Sequence, residues 1–272
     1  MPLTEFQRQL LAELAASPAA DERYLAGGAA LHRLPNSLRI SEDLDFFHDS
    51  VAGVASAFED DRERLQAAGY RVNVGFNIPG FIRAVVSRDE EATRVDWAHD
   101  SAWRFMPLVR EPLGGLLLHP VDLAVNKVLA LAGRDEARDF VDTLFVHQRV
   151  LPLAGLCWAA VGKDPGFTPL SLLELLKRRG RHQAEDIERL NLAQPLDLVA
   201  SKQVWLEALA AAETFAVERP PEELGCLYYS RAEDRFVVPE PGESLKAQGL
   251  DLHFGTPGGV LPQIVAAEES GE

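Results

Sequence analysis

Asp43 and Asp45 stand two residues apart in Ser41-Glu42-Asp43-Leu44-Asp45-Phe46-Phe47, where they alternate with apolar side chains. In an extended strand that spacing puts both carboxylates on one face and turns Leu44 and Phe46 towards a core. Two carboxylates side by side repel unless a cation sits between them. Hard oxygen donors at this spacing suit Mg2+, which is held by one or two carboxylates together with substrate phosphates. Upstream, Tyr24-Leu25-Ala26 runs into Gly27-Gly28-Ala29-Ala30-Leu31, which reads as a short strand, a turn and the start of a helix. The glycines allow a sharp turn and a close backbone approach. A helix starting there directs free N–H groups and its positive dipole end into the turn, which suits a phosphate. A phosphate-cradling turn followed by a carboxylate pair is the logic of nucleotidyl transfer.

The rest of the chain must position these groups. Thr4 with Gln7 makes a capping-box signal for a first helix to about Ser17, with Phe6, Leu10, Leu11 and Leu14 as its apolar stripe. Residues 22–26 and 43–47 read as strands, 28–34 as a short helix and 51–68 as a helix ended by Gly69. His48 and Asp49 close the loop after the second strand. Residues 70–76 and 81–87 alternate as two strands around the turn Asn77-Ile78-Pro79-Gly80. Thr93-Arg94-Val95-Asp96-Trp97-Ala98 is a further strand carrying one acid. If it lies beside 43–47, Asp96 joins Asp43 and Asp45; otherwise it is a surface acid at a strand end. Asp89, Glu90 and Glu91 belong to a hairpin tip.

Residues 102–118 read as loop-rich, and the domain boundary falls near His119-Pro120. The division is then 1–118 as a catalytic core, 119–240 as a helical C-terminal domain and 241–272 as a mobile tail. A helix from Val121 to Ala132 carries Lys127 among Leu123, Ala124, Val128 and Leu131. A lysine there costs desolvation unless its ammonium reaches an anion. The next helix begins with Arg134 and carries Arg138, Asp139 and Asp142. Helices follow over 168–180 and 196–217, then a small hairpin between Leu227 and Pro239. Lys177, Arg178, Arg179 and Arg181 form the densest basic run, either complementing a helix C-terminus or meeting RNA.

Composition narrows the function classes. The 272 residues carry a net charge of −15, which argues against a general nucleic-acid coat but leaves room for a local basic patch. No run approaches the ~18 apolar residues of a membrane helix. The N-terminus lacks the pattern of a secretory signal. Cys157 and Cys226, far apart, suit a reducing compartment, so the expected localisation is cytoplasmic.

Gly27 to Leu31 and Arg39-Ile40-Ser41-Glu42-Asp43-Leu44-Asp45-Phe46 resemble the nucleotidyltransferase superfamily. The resemblance is strongest to the AbiEii/AbiGii-type toxins, whose pattern is Gly-Gly-Thr-Ala-Leu, then Arg-x-Ser-x-Asp-Leu-Asp-Phe. It covers roughly residues 22–150 and departs at Ala29, where the family usually has a hydroxyl. It implies an α+β fold: a nucleotidyltransferase-like mixed sheet with flanking helices, then a helical C-terminal region. It also implies a third acid, matched by Asp96, a lysine matched by Lys127, and an Arg-Asp-x-x-Asp element matched by Arg138, Asp139 and Asp142.

In that picture the substrate is an NTP and the cofactor Mg2+. Asp43 and Asp45 bridge two metal ions, and Asp96 serves the attacking hydroxyl. Gly27 and Gly28 cradle phosphates, Ser41 pins the loop, Lys127 neutralises triphosphate charge, and Asp139 supports catalysis or orients Lys127. The family further implies a bacterial toxin, in some members acting on the acceptor end of tRNA, restrained by an antitoxin. Two alternatives stand beside it: transfer to a protein or small molecule, and a scaffold that binds NTP or a partner without turnover. The loss of a hydroxyl at Ala29 leads to the expectation of a slow transferase that Ala29→Ser would speed.

Overall fold

The computed structural model describes residues 3–111 and 115–262. The capping box at Thr4 is formed: its hydroxyl accepts from the Gln7 amide at 3.1 Å, and the Gln7 side chain accepts from the Thr4 amide at 3.0 Å. Helix α1 (Glu5–Ala15) buries Phe6, Leu10, Leu11 and Leu14. Strand β1 (Tyr24–Ala26) stops at Gly27, whose φ of +60° lies in the left-handed region, and α2 (Gly27–Leu31) starts there.

Strand β2 (Asp43–His48) runs antiparallel to β1, and α3 (Val51–Ala67) follows from a Ser50 cap. Then β3 (Arg71–Ile78), β4 (Phe81–Arg88) and β5 (Glu91–His99) form an antiparallel meander, and β5 lies parallel to β2. The stretch expected as loop over 102–118 holds three short strands: β6 (Trp103–Arg104), β7 (Val109–Glu111) and β8 (Gly115–Leu117). Strand β8 lies parallel to β1 in a seven-stranded mixed sheet of order β3-β4-β5-β2-β1-β8-β7. Two or three residues are too few for alternation to register as a strand signal.

Leu44 and Phe46 are buried on one face of this sheet with Trp97, whose ring lies 5.0 Å from that of Phe58 on α3. A buried ion pair joins that layer. Arg23 donates to both oxygens of Asp61 at 2.6 and 2.7 Å, and the Trp97 indole donates to the same carboxylate at 2.8 Å. Arg23 also donates to the Leu14 carbonyl at 2.7 Å. A dry charge pair persists only when hydrogen bonds occupy its remaining donors and acceptors in this way.

The opposite face carries Asp43 and Asp45 and meets α4 (Pro120–Gly133) and α5 (Ala137–Arg149). Helix α5 starts at Ala137, so Arg134 lies in the link before it. Helices α6 (Leu153–Lys163), α7 (Pro169–Arg179), α8 (Ala184–Glu188) and α9 (Leu198–Glu218) follow. Their apolar residues, among them Leu156, Leu172 and Leu209, share one hydrophobic cluster with Leu44 and Val95. One core therefore crosses the boundary drawn at His119-Pro120.

Strands β9 (Leu227–Ser230) and β10 (Arg235–Val237) make a hairpin. Strand β11 (Leu250–His253) pairs with β9, and β12 (Thr256–Pro257) pairs with β6. The stretch expected as a mobile tail thus supplies two paired strands, and buried His253 places Nε2 2.9 Å from the Phe105 carbonyl. Residues 263–272 of that stretch lie outside the described residues. No single helix among the described residues is long and apolar enough to cross a membrane.

Candidate active site

Alternation along β2 puts Asp43, Asp45 and Phe47 on the face away from Leu44 and Phe46. The β2–β5 register sets Asp96 directly beside Asp45 and Arg94 beside Asp43. The glycine turn is cut to this acid face. A Cβ built on Gly27 would lie 1.9 Å from Asp45 Oδ2. One on Gly28 would lie 2.8 Å from Ser41 Oγ and 3.0 Å from the Arg39 guanidinium. The positive φ and the missing side chain at Gly27 are therefore both required to let Asp45 lie against the turn. Ser41 Oγ lies 3.1 Å from both the carbonyl and Oδ1 of Asp43, so the hydroxyl fixes the acid that follows it.

Electrostatics separate the acids. Burial pushes Asp43 up, but Arg94, Arg138 and Ser41 outweigh it and hold the carboxyl below its usual range. Asp45 is pushed up to about 6, first by burial and then by Asp43, with Lys127 opposing and Asp96 adding. Among the described residues, Asp45 has no hydrogen-bond or ion-pair partner. Asp96 accepts two hydrogen bonds from Arg83, at 2.8 and 2.6 Å.

Lys127 is buried on α4, and its ammonium reaches an anion pair on α5. Nζ lies 2.8 Å from Asp142 Oδ2 and 3.7 Å from Asp139 Oδ1. Asp139, the acid matched from the resemblance, also accepts from Arg134 at 2.5 and 3.0 Å. Asp142 is the closer anion and the larger hub. It accepts from Arg39 Nε at 3.2 Å and Nη2 at 3.1 Å, and lies 3.2 Å from His32 Nε2. That imidazole contact is poorly aligned as a hydrogen bond. Burial holds His32 below its usual range despite Asp142, so it is neutral at pH 7. Burial pushes Asp142 up, but Lys127, then His32 and Arg39, outweigh it and keep its carboxyl well below the ordinary value.

The groups face a small polar cavity of about 120 Å³ whose wall includes Gly27, Gly28, Asp43, Asp45, Asp96 and Lys127. Arg39, Arg83, Arg94, Arg134 and Arg138 complete its polar lining. A larger cavity of about 420 Å³, with Asn126, Leu129 and Lys163 in its wall, shares Gly27, Phe47, Lys127 and Arg134 with it. Asp139 stands behind Lys127, and Ser41 beneath Asp43. Arg83, Arg94, Arg134 and His32 were not singled out as site residues from the sequence, and Arg39, Arg138 and Asp142 entered only as members of the motifs that carry the resemblance, without an assigned role. A signal existed for two: Arg94 is two residues from Asp96 on one strand, and Arg83 is its cross-strand partner.

Two expectations change. Ala29 is fully buried in the hydrophobic core and lines neither cavity, so a hydroxyl there would enter the core and miss a phosphate. Two cations of the basic run, Lys177 and Arg179, are paired with acids. Lys177 pairs with Glu174 and Glu213, Arg179 lies 3.3 Å from Asp135, and Arg178 donates to the Glu174 carbonyl. Only Arg181 of the four lacks such a partner among the described residues.

Among the described residues, no group of three or more His, Cys, Asp or Glu side chains is arranged to hold a metal ion. The donor set still fits a hard divalent cation. Three carboxylates share one cavity, and the unpartnered Asp45 is strained by the negative charge of the other two.

The model of the AbiEii family, described as nucleotidyl transferase AbiEii toxin of a type IV toxin–antitoxin system, matches residues 9–218. No protein of curated function matches the sequence. Among solved structures, the fold is similar to MenT4, a nucleotidyltransferase toxin of Mycobacterium tuberculosis. That match has 18% identity and a TM-score of 0.54 and covers 80% of this chain and 83% of that one. JHP933 from Helicobacter pylori aligns at 19% identity and a TM-score of 0.48, over 79% of this chain and 94% of that one. The chain belongs to the AbiEii family of nucleotidyltransferase toxins and is a nucleotidyltransferase enzyme.

Proposed function

We propose that this enzyme transfers NMP from an NTP to a hydroxyl of RNA, the 3′ end of tRNA being the preferred acceptor, and releases pyrophosphate. The observation that carries the chemistry is Asp43, Asp45 and Asp96 in register on β2 and β5, pressed against the Gly27 turn and facing Lys127. Asp43, Asp45 and Asp96 would hold Mg2+. When bound, that cation would neutralise phosphate charge and make the attacking hydroxyl more acidic.

The chain's own residues do the rest. Ser41 keeps the Asp43 carboxyl aimed at the cavity. Asp96 accepts the proton of the attacking hydroxyl. Lys127 offers a compact positive charge to the triphosphate, oriented by Asp142 and, further off, Asp139. The backbone of Gly27 and Gly28 approaches the phosphates where no side chain intervenes. The larger neighbouring cavity, with Phe47 and Leu129 in its wall, has room for the nucleoside.

An RNA acceptor is supported by Arg83, Arg94, Arg134 and Arg138, which give an acidic chain a cationic rim at this one cavity. The run Lys177, Arg178, Arg179 and Arg181 is the second candidate, because none of it lines this cavity. A protein antitoxin is the partner the family supports, and a reducing cytoplasm suits the buried free thiols Cys157 and Cys226.

The test incubates the protein with each NTP labelled at the α-phosphate, Mg2+ and either total RNA or lysate protein. Label in RNA supports this reading, label in protein supports the alternative acceptor, and nucleotide binding without transfer supports the scaffold.

A further inference from the structure

Two of the three acids do not face the cavity bare. Arg83 holds Asp96 through two hydrogen bonds, 2.8 and 2.6 Å long. Arg94 pairs with Asp43, and Arg138 stands 3.5 Å from the same oxygen. These pairings follow from strand register: Arg83 lies across from Asp96, and Arg94 across from Asp43. Burial is unequal within each pair. The side chains of Arg83 and Arg94 are 44% and 39% exposed, whereas those of Asp96 and Asp43 are 7% and 9% exposed. The carboxylates are anchored and the guanidiniums are the members free to move. A divalent cation centred on Asp45 needs oxygens from its neighbours, and those oxygens are the ones the arginines hold. Guanidinium and cation compete for the same lone pairs.

We propose that Arg94 and Arg83 are placeholders for the metal, which on its arrival release Asp43 and Asp96 and turn to bind the triphosphate. The proposal rests on the transferase reading above. A guanidinium suits the second duty, because its planar fork matches phosphate oxygens in pairs. Arg83 has a further support, its guanidinium lying 5.2 Å from the Phe81 ring centroid. Metal and nucleotide then bind cooperatively: each arginine lowers metal affinity in the free enzyme and raises polyanion affinity in the loaded one.

The experiment titrates Mn2+ alone into wild type and Arg94→Ala, following free Mn2+ by electron paramagnetic resonance. It then titrates inorganic tripolyphosphate into the Mn2+-saturated proteins, with thermal melts to confirm folding. Arg94→Ala should bind Mn2+ alone about tenfold more tightly and tripolyphosphate about tenfold more weakly, the scale of one charged hydrogen bond lost or released. These opposite signs are the signature, since a residue that only props up Asp43 would weaken both. If both affinities fall or neither changes, the placeholder proposal is overturned while the transferase reading stands. If wild type binds neither Mn2+ nor tripolyphosphate, the reading of the site falls and the proposal with it. Should Arg94→Ala fail to fold, the same titrations on Arg83→Ala decide between the same outcomes.

Discussion

Asp142→Asn is the substitution whose consequences the structure specifies most fully. The carboxylate is wholly buried and receives Lys127 at 2.8 Å and two Arg39 bonds at 3.2 and 3.1 Å. Asparagine keeps the shape but removes the charge, leaving the Lys127 ammonium with Asp139 alone at 3.7 Å. Breaking one side of a buried ion pair costs about 3–5 kcal/mol. For a chain of this size that lowers the melting temperature by about 6–12 °C. The pH dependence has a definite sign. A carboxylate held below its unfolded value of about 3.9 stabilises the fold at higher pH, and that stability is lost as pH falls through the lower folded value. The gap between wild type and Asp142→Asn should therefore be full at pH 7, begin to narrow below about pH 4 and close only as the pH passes the lower folded value. Thermal melts of both proteins across this range, without nucleotide, provide the assay. A variant melting within about 1 °C of wild type at pH 7 would refute the claim that Asp142 anchors Lys127 and Arg39.

Three further outcomes are expected. Gly27→Ala puts a methyl group where Asp45 Oδ2 now lies and forces a left-handed φ on alanine. Transfer at saturating NTP should fall at least about a hundredfold for a backbone penalty of only about 1–2 kcal/mol in a urea melt. Ala29→Ser should lower stability by about 1–3 kcal/mol by burying a hydroxyl in the core, and steady-state transfer should not rise. Joint neutralisation of Arg178, Arg179 and Arg181 should leave the slope of RNA affinity against salt nearly unchanged, because none of them lines the acid cavity and Arg179 already pairs with Asp135.

How much of this was legible in the residues differs from element to element. The β1 turn and the acid face of β2 follow from Gly27-Gly28 and from alternation, which are local signals, whereas the α+β architecture came from the resemblance. The place of Asp96 beside Asp45 was readable only as a condition, because strand order is not a local property. The arginine partners required register: Arg83 reaches Asp96 across a strand pair, and Arg39 reaches Asp142 over a separation of 103 residues. Asp139 was preferred to Asp142 on the resemblance, but the rotation of α5 against α4 decides which acid meets Lys127, and three residues along a helix change that answer. The expectation at Ala29 came from the hydroxyl that the family usually carries there, whereas Ala29 is fully buried in the core. Strands β6, β7 and β8 were too short to be seen, and β11 and β12 lie in a Gly- and Pro-rich stretch that composition alone marks as loose.

The central claim is that Asp43, Asp45 and Asp96 form the acid centre of a working transferase. The most direct measurement compares wild type with Asp45→Asn, using each α-labelled NTP, Mg2+ and total RNA. Asp45 has no ion-pair partner among the described residues, so its loss should leave the metal-free melt unchanged or slightly raised. The account predicts label in RNA with wild type and none with the folded variant. Equal labelling by both proteins would contradict it.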